Sequence, residues 1–245
     1  MTDASPALTA RDQDKVWDYY QTDGIAIFDD AVPRLAGLFR EAQRGATGQT
    51  LRTLNIGVGN AWLEQRCQQA GWDSWGLDPN PRAAEGLRAK GIHGVTAGIE
   101  AMPLPEGHFD VVFSSEVFEH LLDDLLLAGL REIRRVLRPD GRLIGTVPCN
   151  EQLALRRVVC PACDHVHHAF GHHQSFSQER LASLFRAAGL APVFFRTRSF
   201  PPFARRDMKG KLKSAVWYAL GRFGAQAADA KIMFVARPVA EGRRR

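Results

Sequence analysis

An α/β fold, a parallel sheet with helices on both faces, is predicted from the sequence by three observations. From residue 51 onward, short apolar runs alternate with helix-period segments, the signature of a parallel sheet wound with helices. The first run, 51–57, passes through Gly57-Val-Gly59 into a helix, which brings backbone and helix N-terminus within reach of a ligand. The next run ends some twenty residues later in a carboxylate, Asp78. The chain has 245 residues, 45% of them hydrophobic and 24% charged, which fits one such domain with insertions.

The elements follow in order. A helix is expected over 12–22 and an extended piece over 24–28. Residues 33–44 read as a helix with Leu35, Leu38 and Phe39 inward, stopped by Gly45. The predicted division is an N-terminal helical extension, 1–49, and a main domain, 50–245. In the main domain strand 51–57 precedes a helix at about 61–70. Strand 73–78 precedes a helix at about 81–90, and a short strand lies near 94–98. A loop over 100–108 leads to strand 109–115. Helix 123–137 carries Leu126, Leu130, Ile133 and Leu137 on one side, and 138–141 is its expected stop. Strand 142–147 ends the first regular stretch. An insertion at about 149–175 shows no clean period beyond a turn at 152–158. A helix at 177–188 and a strand at 191–198 follow. A second insertion spans 201–229, then a last strand 231–237 and a free tail, 243–245.

Composition narrows the classes. No run of eighteen apolar residues is present, so no transmembrane helix is expected. Residues 1–10 lack the basic and apolar regions of a secretory signal, so the expected location is cytoplasmic. The net charge of +5 is uneven. Residues 201–245 hold eleven Lys and Arg against three acidic groups, leaving 21 against 24 in the first 200. The basic segment 204–223 carries Leu212, Val216, Trp217, Leu220 and Phe223 at helical spacing. It reads as a helix docked on the domain with a basic side exposed, or as one meeting an anionic membrane surface or covering a lipid-linked acceptor. A nucleic-acid role lacks stacking aromatics and a recognised motif. The sequence does not specify an oligomeric state.

The glycine turn discriminates between cofactors. A dinucleotide fingerprint would place a third glycine where Trp62 stands, and no phosphate-binding lysine follows. A nucleoside cofactor without phosphates is expected, and a nicotinamide-dependent oxidoreductase is disfavoured. The segments 54–61, 76–78, 100–105, 109–116, Phe118-Glu-His120 and 136–142 together resemble the class I S-adenosylmethionine-dependent methyltransferases. The resemblance is to the small-molecule group that includes quinone-biosynthesis methyltransferases. It implies a Rossmann-like, mostly parallel sheet of seven strands with the last antiparallel. It also implies that Asn55, Gly57 and Gly59 face the methionine part of S-adenosylmethionine, and that Asp78, with Pro79 after it, takes the ribose hydroxyls. Ile99, Glu100 and Met102 would line the adenine, and Ser115 and Glu116 would adjoin the methyl-transfer point. Three positions depart from the family pattern. Asn55 replaces an acid, Ala61 replaces the third glycine, and Gly98 stands where an acid often precedes the adenine loop.

The implied activity is methyl transfer to a small-molecule, sugar- or lipid-linked acceptor, with oxygen the expected target atom. The alternative is a non-catalytic interaction module with this fold and a zinc-stapled loop. His120 is read either as a general base or as a residue ordering the loop after the fourth strand. Five of the eight histidines fall between 165 and 173, behind Cys160-Pro-Ala-Cys163. Cys160, Cys163, His168 and His172 have a spacing able to hold one structural Zn²⁺, with His165, His167 and His173 as competing ligands. A metal-free loop and a redox pair are the other readings. The insertion follows the fifth strand, which places it over the site rim, and His172 or His173 is the other candidate base.

Overall fold

The computed structural model of the chain describes residues 19, 25–44, 46, 48–161, 163–200, 208–210, 216 and 230–239. Its strands are β1 (Arg52–Ile56), β2 (Asp73–Asp78), β3 (His93–Thr96), β4 (Phe109–Ser115), β5 (Leu137–Pro148), β6 (Arg157–Val159), β7 (Val166–His168), β8 (Leu190–Ser199) and β9 (Ala230–Pro238). The helices are α1 (Val32–Gln43), α2 (Trp62–Gln69), α3 (Pro81–Arg88), α4 (Asp123–Val136) and α5 (Gln178–Ala187). Seven strands form one sheet in the order β3-β2-β1-β4-β5-β9-β8. β1 to β5 pair in parallel, and β9 runs antiparallel to both β5 and β8. This is the expected seven-stranded Rossmann-like sheet with its last strand reversed.

Side-chain alternation builds the two faces. Val112, Leu143, Val147 and Phe234 point to the side where α4 and α5 deliver Leu126, Leu130, Ile133, Leu181 and Phe185. Val111, Phe113, Ile144, Met233 and Val235 point to the other, where α1 and α2 deliver Leu38, Phe39, Ala42 and Leu63. The expected boundary at residue 49 therefore runs through a shared core, because α1 is one of the layers covering the sheet. Local chemistry sets the helix starts. Asn80 accepts the Arg82 N–H at 3.0 Å, with Pro81 in the first turn of α3, and Ser177 accepts the Arg180 N–H at 3.2 Å to begin α5.

Several elements differ from expectation. Residues Ile25–Ala31 form a 3-10 turn rather than an extended piece, because they turn back toward the glycine loop. α4 ends at Val136, and the segment read as its stop belongs to β5, with a register shift opposite β4 between Phe109 and Val111. The first insertion contains a 3-10 turn, Leu153–Arg156, and a β6–β7 hairpin. The helix expected over 12–22 lies outside the described residues except for Tyr19, which is helical. The second insertion lies outside them except for 208–210 and 216, also helical, so its basic amphipathic face falls beyond description, as does the tail 243–245. Among the described residues no helix is long and apolar enough to cross a membrane.

Candidate active site

The strand order reverses between β1 and β4, and in such sheets the ligand crevice opens at the C-terminal ends of the strands flanking that point. Gly57 and Gly59 follow β1, Asp78 ends β2, Ser115 ends β4, and Glu116 is next in the chain. The topology brings all of these to one edge.

The glycine turn alternates left-handed residues, with φ of 79° at Gly57, 56° at Gly59 and 63° at Ala61. A Cβ on Gly57 would lie 2.8 Å from Val117 Cγ2, and one on Gly59 would lie 3.1 Å from the Phe28 ring. Gly57 thus lets the segment after β4 approach, and Gly59 lies under an aromatic ring of the N-terminal turn. Asn60 Nδ2 reaches Asp29 Oδ1 at 3.5 Å from the same side. Ala61, in the third glycine's place, accepts a backbone conformation that costs an L-residue roughly 1–2 kcal/mol. The first N–H of α2, on Trp62, is given to Asn60 Oδ1 at 3.2 Å. Trp62 itself packs against the α1–α2 core. A side-chain oxygen and a core-bound indole thus stand at the helix start that a dinucleotide site gives to phosphate.

Asp78 is buried, and its carboxylate ties two chain ends together. Oδ2 accepts the Val58 N–H at 3.0 Å from the glycine turn, and Oδ1 accepts the Asn80 N–H at 2.9 Å across Pro79. Below the turn, Asn55 Nδ2 donates to Gly57 O at 3.1 Å and to Glu64 Oε1 at 2.9 Å. Glu64 is buried, and desolvation pushes its carboxyl up to about 8 despite the Asn55 bond. The acid missing at Asn55 is thus supplied from α2, in neutral form at pH 7.

The loop over 100–108, expected to line an adenine, is held by α4. Met102 N donates to Glu132 Oε2 at 2.9 Å, while Arg135 donates to Met102 O at 2.9 Å, Leu104 O at 2.8 Å and Glu132 at 2.7 Å. The Glu100 carboxylate folds against Gly98 into the space a Cβ there would take. Ile99 and Met102 are buried in the α4 core, Ile99 against Gly129, so each offers a base only a small exposed edge. Removing the Arg135 clamp by Arg135→Ala is expected to cost about 1–2 kcal/mol, the loss of a few part-exposed hydrogen bonds. A urea midpoint equal to wild type would show that the loop does not depend on the clamp.

Beyond β4 the site is ionic. Arg34 of α1 donates to Ser115 Oγ at 2.9 Å, and Ser115 shares a hydrogen bond with Thr146 at 3.1 Å. Lys231 Nζ lies 2.6 Å from Glu116 Oε2. Burial pushes the Glu116 carboxyl up, but Arg34 and Lys231 together outweigh it and hold the group below the usual range. Glu116 has a φ of 57°, so this ionic contact is made from a strained backbone.

The Cys/His insertion folds onto this edge, with the His173 and Gln174 amides donating to Glu119 O at 2.8 and 3.2 Å. His120 Nδ1 lies 3.4 Å from Gly171 O, which fits the loop-ordering reading. Burial, then His172, pulls the His120 imidazole down to about 3, too weak a base to hold a proton at neutral pH. Burial, then His172, also lowers His173. The expected metal set is not gathered as proposed. Cys160 and Cys163 lie at the β6–β7 turn, where Cys160 N donates to His165 O and Asp164 N to Cys160 O, both at 2.9 Å. His168 pairs with Arg157, three residues back from Cys160, which at strand rise separates them by roughly 10 Å. Neither cysteine is in a disulfide. His168 and His172 do meet, their rings stacked at 4.5 Å, with His172 Nδ1 2.5 Å from Glu151 Oε2. His165 and His167 stack on each other at 5.7 Å on the hairpin.

The structure therefore unites Gly57, Gly59, Asp78, Ser115 and Glu116, and separates the two cysteines from His168, at the far end of the β6–β7 hairpin. Sequence reasoning passed over Arg34, Glu64, Glu151 and Lys231, none with a motif of its own; Arg34 and Lys231 come from distant segments, whereas Glu64 lies nine residues from Asn55. Glu119 stood inside a quoted motif and could have been singled out as an acid beside a histidine.

Fold and site define an α/β protein with a nucleoside-type crevice and no phosphate cradle. The comparisons make this specific: a family model described as a methyltransferase domain matches residues 20–193, and the chain belongs to that family. An uncharacterized methyltransferase of Mycobacterium sp. (strain KMS) is 30% identical over 118 residues, 47% of this chain and 46% of its own. The malonyl-[acyl-carrier protein] O-methyltransferase of Enterobacter lignolyticus (strain SCF1) is 31% identical over 166 residues, covering 65% of this chain and 63% of its own. The chain thus spans about half to two-thirds of the length of these curated relatives. Among solved structures, the 1,6-didemethyltoxoflavin-N1-methyltransferase of Burkholderia thailandensis, with bound 1,6-didemethyltoxoflavin and S-adenosylhomocysteine, superposes with a TM-score of 0.66. It is 18% identical, with 98% of each chain covered, a likeness of fold.

Proposed function

We propose that the chain is an S-adenosylmethionine-dependent methyltransferase acting on a small-molecule acceptor, with oxygen as the target atom. The observation that carries this reading is the join between Asp78 and the glycine turn through the Val58 N–H. It places a carboxylate beside a backbone opened by Gly57 and Gly59, at the switch point of the sheet. A carboxylate has about four acceptor sites, so holding two backbone N–H groups does not exhaust its capacity for a ribose diol. The donor set suits a phosphate-free nucleoside, with Asn60 and Trp62 at the start of α2.

When bound, the cofactor supplies a methyl group already activated on a sulfonium. The chain's part is placement and exclusion of water. Asp78 holds the ribose, and the turn at Gly57–Gly59 admits the methionine portion. Glu100, folded into the space beside Gly98, replaces the acid usual there in meeting the adenine amino group. Phe28 covers the turn at Gly59, and Ser115 with Glu116 faces the acceptor. The oxygen target is supported by the named O-methyltransferase relative and by the acid-rich edge at Glu116 and Glu119, which suits holding a hydroxyl. Isothermal calorimetry with S-adenosylhomocysteine tests the reading. One-to-one binding in the micromolar range is expected. Absence of heat at high micromolar ligand would favour a non-catalytic module.

A further inference from the structure

We propose that Glu119, His120 and His172 form a divalent-metal site at the acceptor edge, with Glu151 orienting His172. The first support is Glu119 itself. Its side chain is wholly buried, and among the described residues neither carboxylate oxygen has a hydrogen-bond partner. Buried polar groups in folded proteins are almost always satisfied, and a carboxylate without a partner is among the most costly exceptions. A cation between this carboxylate and the two imidazoles removes the exception.

The second support is convergence. The ligand-bearing atoms of Glu119, His120 and His172 all lie within 4.8 Å of one another. Ligands about 2.1 Å from a common ion stand up to roughly 4.2 Å apart, so small side-chain adjustments close the set.

The third support is the tautomers. His120 Nδ1 faces Gly171 O, and His172 Nδ1 faces Glu151 Oε2. A carbonyl and a carboxylate only accept, so each Nδ1 carries the proton and each Nε2 keeps its lone pair. A carboxylate or carbonyl behind a ligating imidazole is the recurring arrangement in metal sites.

A second grouping, Glu151 with His168 and His172, also has close atoms. His168 excludes itself. Its Nδ1 accepts the backbone N–H groups of Phe170 at 3.3 Å and His172 at 3.1 Å, so its proton sits on Nε2, 3.5 Å from Glu151. No lone pair remains for an ion. Glu151 instead spans two imidazoles from behind. Cys160 and Cys163, at the hairpin turn, belong to neither grouping.

Two imidazoles and a carboxylate suit Zn²⁺, Mn²⁺ or Fe²⁺, and three protein ligands leave positions for water or an acceptor oxygen. Glu116 Oε1, buried without a hydrogen-bond partner, offers a further oxygen nearby in sequence. That the ion would hold the acceptor rests on the methyltransferase reading. Metal binding itself does not.

The test uses the full chain stripped with a chelator and titrated calorimetrically with Zn²⁺ and, separately, Mn²⁺. One ion per chain is expected, with a rise in melting temperature. Glu119→Gln and His172→Ala are each expected to weaken binding by about 100-fold, the scale of losing part of a metal site. Circular dichroism confirms that each is folded, and the wild-type titration stands even where a variant is not. The double variant Cys160→Ser/Cys163→Ser is expected to bind like wild type. No saturable binding of either ion by stripped wild type would overturn the proposal, as would binding lost in the cysteine variant and kept in Glu119→Gln. Titrating the same stripped protein with S-adenosylhomocysteine separates this outcome from the cofactor reading, because neither result implies the other.

Discussion

Asp78→Ala is expected to abolish measurable S-adenosylhomocysteine binding and to destabilise the fold at the same time. The binding effect comes from the ribose. Hydrogen bonds to a charged acceptor are worth about 1.5–3 kcal/mol each, so losing two amounts to at least about 100-fold in affinity. The stability effect comes from the backbone. Val58 N–H and Asn80 N–H both donate to Asp78 in a buried setting. Without it each loses its acceptor, at about 1–3 kcal/mol apiece. The two effects separate in Asp78→Asn, which keeps one oxygen and loses the charge, and which should recover part of the stability and less of the affinity. Urea unfolding reads the first effect and calorimetry the second. An Asp78→Ala protein that still binds the ligand within a few-fold of wild type would remove Asp78 from the ribose and leave it a purely structural tie.

What the sequence made legible here was whatever recurs at short range. The sheet could be read because β1, β2, β4 and β5 each carry Leu, Ile, Val or Phe among their buried positions and each is followed by a turn or helix signal. The glycine turn and Asp78 could be read because their spacing is local to one β-α-β unit. The ionic edge could not. Arg34 reaches Ser115 across 81 positions, and Lys231 comes to Glu116 from the last strand. Neither has periodicity to betray it, because a single long side chain needs no pattern to bridge two elements. The Cys/His segment was legible as unusual, but its ligand set was misread for a geometric reason. Close spacing in sequence, with two, four and three residues between the ligands, suggested a knuckle, whereas β6 and β7 pair and carry the cysteines to one end of a hairpin and His168 to the other. The 3-10 turn over Ile25–Ala31 was missed because an apolar run of that length suits a strand as well as a turn docked on a glycine loop.

Glu64→Gln is expected to stabilise the protein above pH 8 and to leave it unchanged near pH 4.5. Glu64 is buried against Asn55, and two atoms of this pair stand without partners, Asn55 Oδ1 and Glu64 Oε2. A proton on Glu64 removes the buried charge and leaves the Asn55 Nδ2 bond to Oε1 in place, so the neutral acid is the form this buried site favours. Desolvation raises the folded-state pKa from 4.5 to about 8, outweighing the Asn55 hydrogen bond, which acts in the opposite direction. The sign follows by linkage. The stability is fully present below pH 4.5, where folded and unfolded chains are both protonated, and falls as pH rises toward 8, because only the unfolded chain releases the proton freely. Above pH 8 the loss is complete, on the order of 5 kcal/mol at about 1.4 kcal/mol per unit. Glutamine carries an N–H donor in the same place at every pH, so its stability should lack this slope. Urea denaturation of both proteins at pH 5, 7 and 9 provides the comparison, and parallel profiles would mean that ionising the buried Glu64 carries no stability cost. The outcome also bears on the cofactor turn. Where the family sets a charged acid under the glycines, this chain pairs an amide with an acid that stays neutral at pH 7, so the turn's shape rather than a carboxylate charge is what Asn55 and Glu64 provide.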